Sequence, residues 1–165
     1  HIFQVAKEDS ITDTVEWVAM DDAALRVFVP YYPMLTTDTY AGYQLSTAAA
    51  DFVEAQPESG VYYATTKHKR NENGERVKVE GFCVLPENWA DSVYWTMDAL
   101  SNLYEYGTLT DDEKAQVETT LTDLQAECYE VYNQLKADPD NATAISAAAA
   151  QKVHEACVAL VNAVK

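Results

Sequence analysis

The sequence predicts an α+β fold, with strands in the first half of the chain and helices in the second. Three observations predict it. Segments rich in β-branched and aromatic residues, several of them alternating, lie in residues 1–30 and 61–84. From Asn88 onward apolar residues recur at three- and four-residue steps instead. Two of those later stripes match across a short Asp138-Pro139 turn, the pattern of two helices folded back on each other.

Taken in order, His1 to Ala6, Thr14 to Met20 and Leu25 to Pro30 are predicted strands. Val15, Trp17 and Ala19 share one face against Glu16, and Val27 and Val29 alternate with Arg26 and Phe28. Asp21 to Ala24 is short enough for a hairpin connection, so three antiparallel strands are expected. Tyr31-Tyr32-Pro33 ends the third, because proline cannot donate to a ladder. The run to Gln44 lacks periodicity and reads as an ordered loop, and Ser46 to Glu54 as one or two helical turns. A second hairpin joins Val61–Thr66 to Arg76–Val84 through the polar turn Asn71-Glu72-Asn73-Gly74.

Trp89, Val93, Met97, Leu100 and Tyr104 then mark one face of a helix that Gly107 stops. Thr110-Asp111-Asp112-Glu113 reads as a capping box, with the acids at the positive end of the next helix. Its stripe is Val117, Leu121, Leu124, Cys128, Val131 and Leu135. Asp138 and Pro139 suit the cap and first position of the last helix, whose stripe is Ile145, Ala149, Val153, Ala156, Leu160 and Val164. The layout is a mixed part over 1–107 and an antiparallel helical hairpin over 108–165 packed on it.

Composition limits the function. The 165 residues hold 27 acids and 11 bases, a formal charge of −16. Binding to a phosphate backbone or an anionic membrane surface needs clustered cations, so nucleic acid is not an expected partner. No stretch reaches the ~20 apolar residues of a membrane span. The charge suits cytoplasmic and secreted or cell-surface proteins equally. Three cysteines (Cys83, Cys128 and Cys157) form no disulfide framework.

Few residues advertise chemistry. His154 and Cys157 stand at i and i+3, a spacing that chelates zinc, yet no third and fourth ligands follow, and both read more simply as core; no metal or other cofactor is expected. Cys128 lies in its helix stripe and Cys83 beside Phe82, again as packing. His68 sits in Lys67-His68-Lys69-Arg70, a solvated basic cluster beside the hairpin turn. Asn141-Ala142-Thr143 matches a glycosylation sequon at a helix start. Of the eleven tyrosines, Tyr31, Tyr32, Tyr40 and Tyr43 cluster in the irregular loop, with Tyr62 and Tyr63 on the second hairpin. Loop aromatics either fill the loop's own core or line a pocket.

Several strings share one resemblance. Glu16-Trp17-Val18-Ala19-Met20, Val27 to Tyr32, Thr37-Asp38-Thr39-Tyr40-Ala41-Gly42-Tyr43 and Asp91-Ser92-Val93-Tyr94-Trp95 resemble, in that order, segments of the peptidase C69 dipeptidases. His1 to Gln4 is similar to the strand that precedes them in the family. Tyr40 stands where proline is common, and the stretch from Ala48 to Pro86 matches loosely. The resemblance implies a cysteine-type N-terminal-nucleophile hydrolase with an αββα sandwich, whose first cysteine attacks the peptide carbonyl while its own α-amino group acts as base. Residue 1 here is His1 and all three cysteines are internal, so no catalytic residue is assigned.

The expectation is therefore the C-terminal portion of such a dipeptidase, inactive alone, its strands forming part of the sandwich. Its partners would be the missing N-terminal half, a dipeptide substrate in the full-length protein and a second copy in a homo-oligomer. Tyr31, Tyr32, Tyr40 and Tyr43 would form a substrate-binding wall. The alternative is a surface module that uses its loop aromatics on glycan or peptide.

Overall fold

A computed structural model describes residues 1–5, 14–21, 25–44, 49–57, 60–107 and 109–164. It is α+β, with two three-stranded antiparallel sheets and three helices. The first sheet orders β1 (Ile2–Gln4), β2 (Val15–Val18) and β3 (Val29–Tyr31) consecutively, with Trp17 opposite both Ile2 and Pro30. The second comprises β4 (Asp51–Val53), β5 (Tyr62–Arg70) and β6 (Arg76–Val84), with β6 in the middle. The helices are α1 (Val93–Tyr106), α2 (Asp111–Ala137) and α3 (Ala142–Val164).

Each sheet leans on helices. β3 packs on α2 and α3, β5 packs on α1, and α3 lies against both α1 and α2. One contiguous core runs from Val15 through Trp95 and Leu100 to Val164, joining the mixed part to the helical hairpin. The expected stripes are buried at Val117, Leu121, Leu124, Cys128 and Leu135 of α2. α3 buries Ala149, Val153, Leu160 and Val164 of its stripe, with Ile145 and Ala156 partly buried, and Ser146, Ala150, His154, Cys157 and Val161 are inside too, because α1, α2 and β3 pack on it from different sides.

Local signals explain the ends. Ser92 accepts from the Trp95 amide and starts α1, one short 3-10 turn later than the apolar stripe begins. At α2 the Thr110 hydroxyl accepts from the Glu113 amide while the Glu113 carboxylate takes the Thr110 N–H, so the capping box is formed. In the β5–β6 turn, Asn71 Oδ1 accepts from the Asn73 and Glu75 amides, and Gly74 takes φ +80°.

Three expectations are corrected. Asp51 to Val53, within the segment Ser46 to Glu54 read as helical turns, is a strand on the edge of β6, where Phe52 lies across the Cβ-less Gly81; Ala49, Ala50 and Glu54 are not helical either, and residues 46–48 lie outside the described residues. The third strand is shorter at its start and runs on through Tyr31. Phe28 instead bonds to α2, its N–H to Gln125 Oε1 at 2.7 Å and its carbonyl to Gln125 Nε2 at 3.2 Å. Arg26, set by alternation on the face opposite Val27 and Val29, is buried as they are, and there it donates to Asp21 and to Ser101 of α1. The connection expected over residues 21–24 lies outside the described residues except for Asp21.

Gln125 is thus a side-chain continuation of the β3 ladder. Replacing it with Ala leaves both Phe28 backbone groups without their partner and is expected to lower unfolding free energy by about 1–3 kcal/mol. Urea denaturation should show the loss as a lower midpoint at unchanged m-value.

Candidate functional site

The loop from Tyr31 to Tyr43, whose tyrosines the sequence suggests as a binding wall, and Pro30 just before it are bonded along α3. Ser146 Oγ donates to the Pro30 carbonyl at 2.8 Å, and the Thr37 amide donates to Thr143 Oγ1 at 3.0 Å. Farther along the helix, the Tyr40 hydroxyl lies 3.1 Å from His154 Nδ1. Internal bonds stiffen the same segment. The Leu35 and Thr36 amides return to the Tyr32 carbonyl, and Asp38 Oδ1 accepts from the Thr39 amide and the Gln44 side chain. Ala41 to Tyr43 forms a 3-10 turn.

The four predicted tyrosines divide two and two. Tyr31 and Tyr32 are buried in the core, the first with its phenol pushed far above the ordinary value by desolvation. Tyr40 and Tyr43 are half-buried against that core, edge to face with ring centroids 6.3 Å apart. The Tyr43 phenol is also raised strongly, by burial first and then by neighbouring Tyr31 and the cysteines. Burial raises the Tyr40 phenol as well, so Tyr40 and Tyr43 offer hydroxyls and ring edges rather than phenolates near neutrality.

His154 organises the junction. It is 3% exposed, and its Nε2 lies 3.0 Å from Thr96 Oγ1 on α1. Thr96 gives its own proton to the Trp89 carbonyl at 3.2 Å, so it accepts from His154 Nε2–H. Nδ1 is then the acceptor for the Tyr40 O–H. The chain Tyr40 to His154 to Thr96 to Trp89 has one consistent direction and holds the neutral imidazole. Burial is the main cause lowering the His154 pKa; the Ser92 carbonyl, Asp91 and Glu155 oppose it more weakly. Gly42 lets the turn close over this ring. A Cβ there would stand 2.6 Å from Tyr40 Cε1 and 3.2 Å from His154 Nδ1.

The other chemistry-bearing residues sit apart. Cys128 and Cys157 are buried thiols pushed up to about 12 by desolvation, which removes them as nucleophiles near neutral pH. Cys157 lies three residues from His154, but both His154 ring nitrogens already face Tyr40 and Thr96. Among the described residues no group of three or more His, Cys, Asp or Glu is placed to hold a metal ion. In the sequon, Asn141 donates to Asp138 and Thr143 accepts from Thr37. Asp98 of α1, facing Tyr63, has its carboxyl raised chiefly by burial, with the Tyr63 hydrogen bond opposing.

Pattern reading missed a cleft between the second sheet and α1. One trough of about 750 Å³ is bordered by Glu54, Thr66, Glu80, Asn102 and Tyr106. A neighbouring hollow of about 550 Å³ shares Ala64, Phe82 and Tyr106 with it and adds Tyr62 and Leu103. Tyr62 stands edge-on to Phe82 at 5.2 Å, and Tyr106 is mostly exposed on the last turn of α1. Tyr106 sits off the apolar stripe of its helix, and that was the available signal.

Comparisons with family models, with curated proteins and with solved structures return no match.

The buried His154 gives the fold a pH dependence of definite sign. Its folded pKa lies below the unfolded value of about 6.5, so its contribution is complete above that pH and is lost as pH falls through the folded pKa. Across that window, stability should decline by at most about 1.4 kcal/mol per pH unit. Denaturation at stepped pH should show this slope in the wild type and a flatter one in His154→Gln. At pH 7, Tyr40→Phe should cost about 1 kcal/mol, one hydrogen bond.

Proposed function

We propose that this chain is the C-terminal portion of a dipeptidase of the peptidase C69 type, with its strands in an N-terminal-nucleophile sandwich and its nucleophilic cysteine outside these residues. The observation that carries the reading is β1. Only β2 pairs with it among the described residues, and Ile2, Phe3 and Val5 are 53%, 60% and 75% exposed. Ile2 and Phe3 point to opposite faces, so apolar surface is open on both sides of an unpaired edge. Such an edge is a liability that further strands or a covering layer would remove. In the proposed protein, the preceding half continues the sheet there.

The segments that resemble the family support the same reading through their roles in this fold. They supply Trp17 of β2, β3 itself, the Thr37–Tyr43 stretch bonded to α3, and the Ser92 cap with buried Trp95. In this proposal the chain holds a wall and the absent cysteine breaks the bond. Its thiolate attacks the peptide carbonyl and its α-amino group carries the proton to the leaving amine. Tyr40 and Tyr43 present the partly open rim of the wall, backed by Tyr31 and Tyr32.

The test is N-terminal sequencing of the mature protein from its native host, with a dipeptide hydrolysis assay. A leading cysteine upstream of His1, and turnover reduced more than about a thousandfold when that cysteine becomes Ala, is the expected result. The 165-residue chain alone should not hydrolyse dipeptides. A mature protein without a leading cysteine, or turnover indifferent to its replacement, overturns the proposal.

The aromatic cleft beside α1 favours a second reading, a binding module for glycan or peptide, although on Tyr62, Phe82 and Tyr106 rather than on the loop tyrosines. Saturable ligand binding weakened about tenfold by Tyr106→Ala and unchanged by Tyr40→Phe would establish it.

A further inference from the structure

The distal half of the β5–β6 hairpin is built unlike the rest of the molecule. Five of the eleven Lys and Arg residues lie between Lys67 and Lys78, in a chain with 27 acids. β4 pairs only with Phe82 to Val84 at the base, so beyond it the arm is two-stranded, and Thr66 to Arg70 are exposed.

Its two faces differ in how their charges are settled. On one face, the Lys67 and Lys69 ammonium groups lie 4.8 and 5.5 Å from the centre of the Phe52 ring, and Lys69 also pairs with Glu54. On the other face the register sets Arg70 directly opposite Arg76 and His68 directly opposite Lys78. The Arg70–Arg76 pair sets like charges directly opposite each other, which destabilises a strand pair. Lys78 reaches Glu80 only at 3.8 Å, Arg70 donates to the Gly74 carbonyl, and among the described residues neither Arg70 nor Arg76 forms an ion pair. The outer edge of β5 carries no strand among the described residues.

We propose that this face and edge form a binding site for an extended acidic polypeptide segment with carboxylates at alternate positions. His68 and Arg70 are two residues apart, as are Arg76 and Lys78, which places each pair about 6.6 Å apart along its strand. A segment added to the open β5 edge projects every second side chain onto the same face at the same repeat. Its backbone satisfies the free edge, and its carboxylates offset the opposed cations. Extended protein is favoured over duplex DNA because the edge offers backbone hydrogen bonds in register, and the −16 body repels a long polyanion. The inference does not depend on the dipeptidase reading.

The probe is a fluorescein-labelled twelve-residue peptide alternating Glu with Thr or Val, titrated into the whole chain and followed by anisotropy. Saturable binding is expected. It should weaken about tenfold or more when the glutamates are gathered into one block, when alternate backbone amides are N-methylated, or in Arg70→Gln/Arg76→Gln. Lys67→Gln/Lys69→Gln, on the opposite face, should bind within about twofold of wild type. The arginine variant relieves repulsion and gives up one exposed hydrogen bond to Gly74, so it should melt close to wild type, and that separates lost binding from lost fold. No saturable binding, equal binding of the blocked or N-methylated peptides, or tighter binding of duplex DNA overturns the proposal.

Discussion

The buried polar edge of α3 is the constraint on which the rest of the structure depends. The face that a helix packs against α1, α2 and β3 would ordinarily be apolar, yet here that face carries Ser146 and His154. Each is tied to another element: Ser146 to the Pro30 carbonyl, His154 to Tyr40 and to Thr96. A buried polar group without a partner costs more than its bond returns when made, so these contacts select one placement of strand, loop and helix. Apolar packing would tolerate a small slide of α3; a two-sided imidazole does not.

The same logic explains the stiffness of a segment without regular secondary structure. Residues 31–44 contain only three residues of strand or helix beyond Tyr31, yet Thr37 and Tyr40 anchor them to α3 and Asp38 closes a local turn. Gly42 makes the close approach sterically possible. A loop held this way can serve as a preformed wall, because little ordering entropy remains to be lost on binding. The exposed β1 edge and the hairpin arm are opposite in character. Both leave strand edges open among the described residues, one lined by apolar residues and the other by opposed arginines.

Much of this was legible in the sequence where the signal is local. The capping box at Thr110 works through residues three positions apart, and the stripes of α1 and α2 are repeats within single helices. The turn from Asn71 to Gly74 closes through neighbouring residues alone, Asn71 to Glu75. The misreadings have a common cause. Alternation set Arg26 on the side opposite Val27 and Val29, whereas Asp21 and Ser101, the latter 75 residues away, let its charge be buried. Asp51 to Val53 looked helical because the preceding alanines favour helix; pairing with β6 decided otherwise. For Tyr31, Tyr32, Tyr40 and Tyr43, the sequence identified the cluster but not its division into two core and two half-exposed members.

By itself the sequence determined the three helices, five of the six strands, the capping box of α2 and the net acidic charge, because periodicity, caps and charge are properties of neighbouring residues or of the whole composition; the last helix starts at Ala142, after a 3-10 turn at Pro139–Asn141, rather than at Pro139. Only the tertiary structure decided which polar groups could be buried and which strand edges stayed open. Tyr40 and His154 are 114 residues apart, and Gln125 meets Phe28 across 97. No local pattern encodes such a meeting. It arises when the packing of α3 and β3 brings the two groups together, and the cost of burying either one alone then keeps them there.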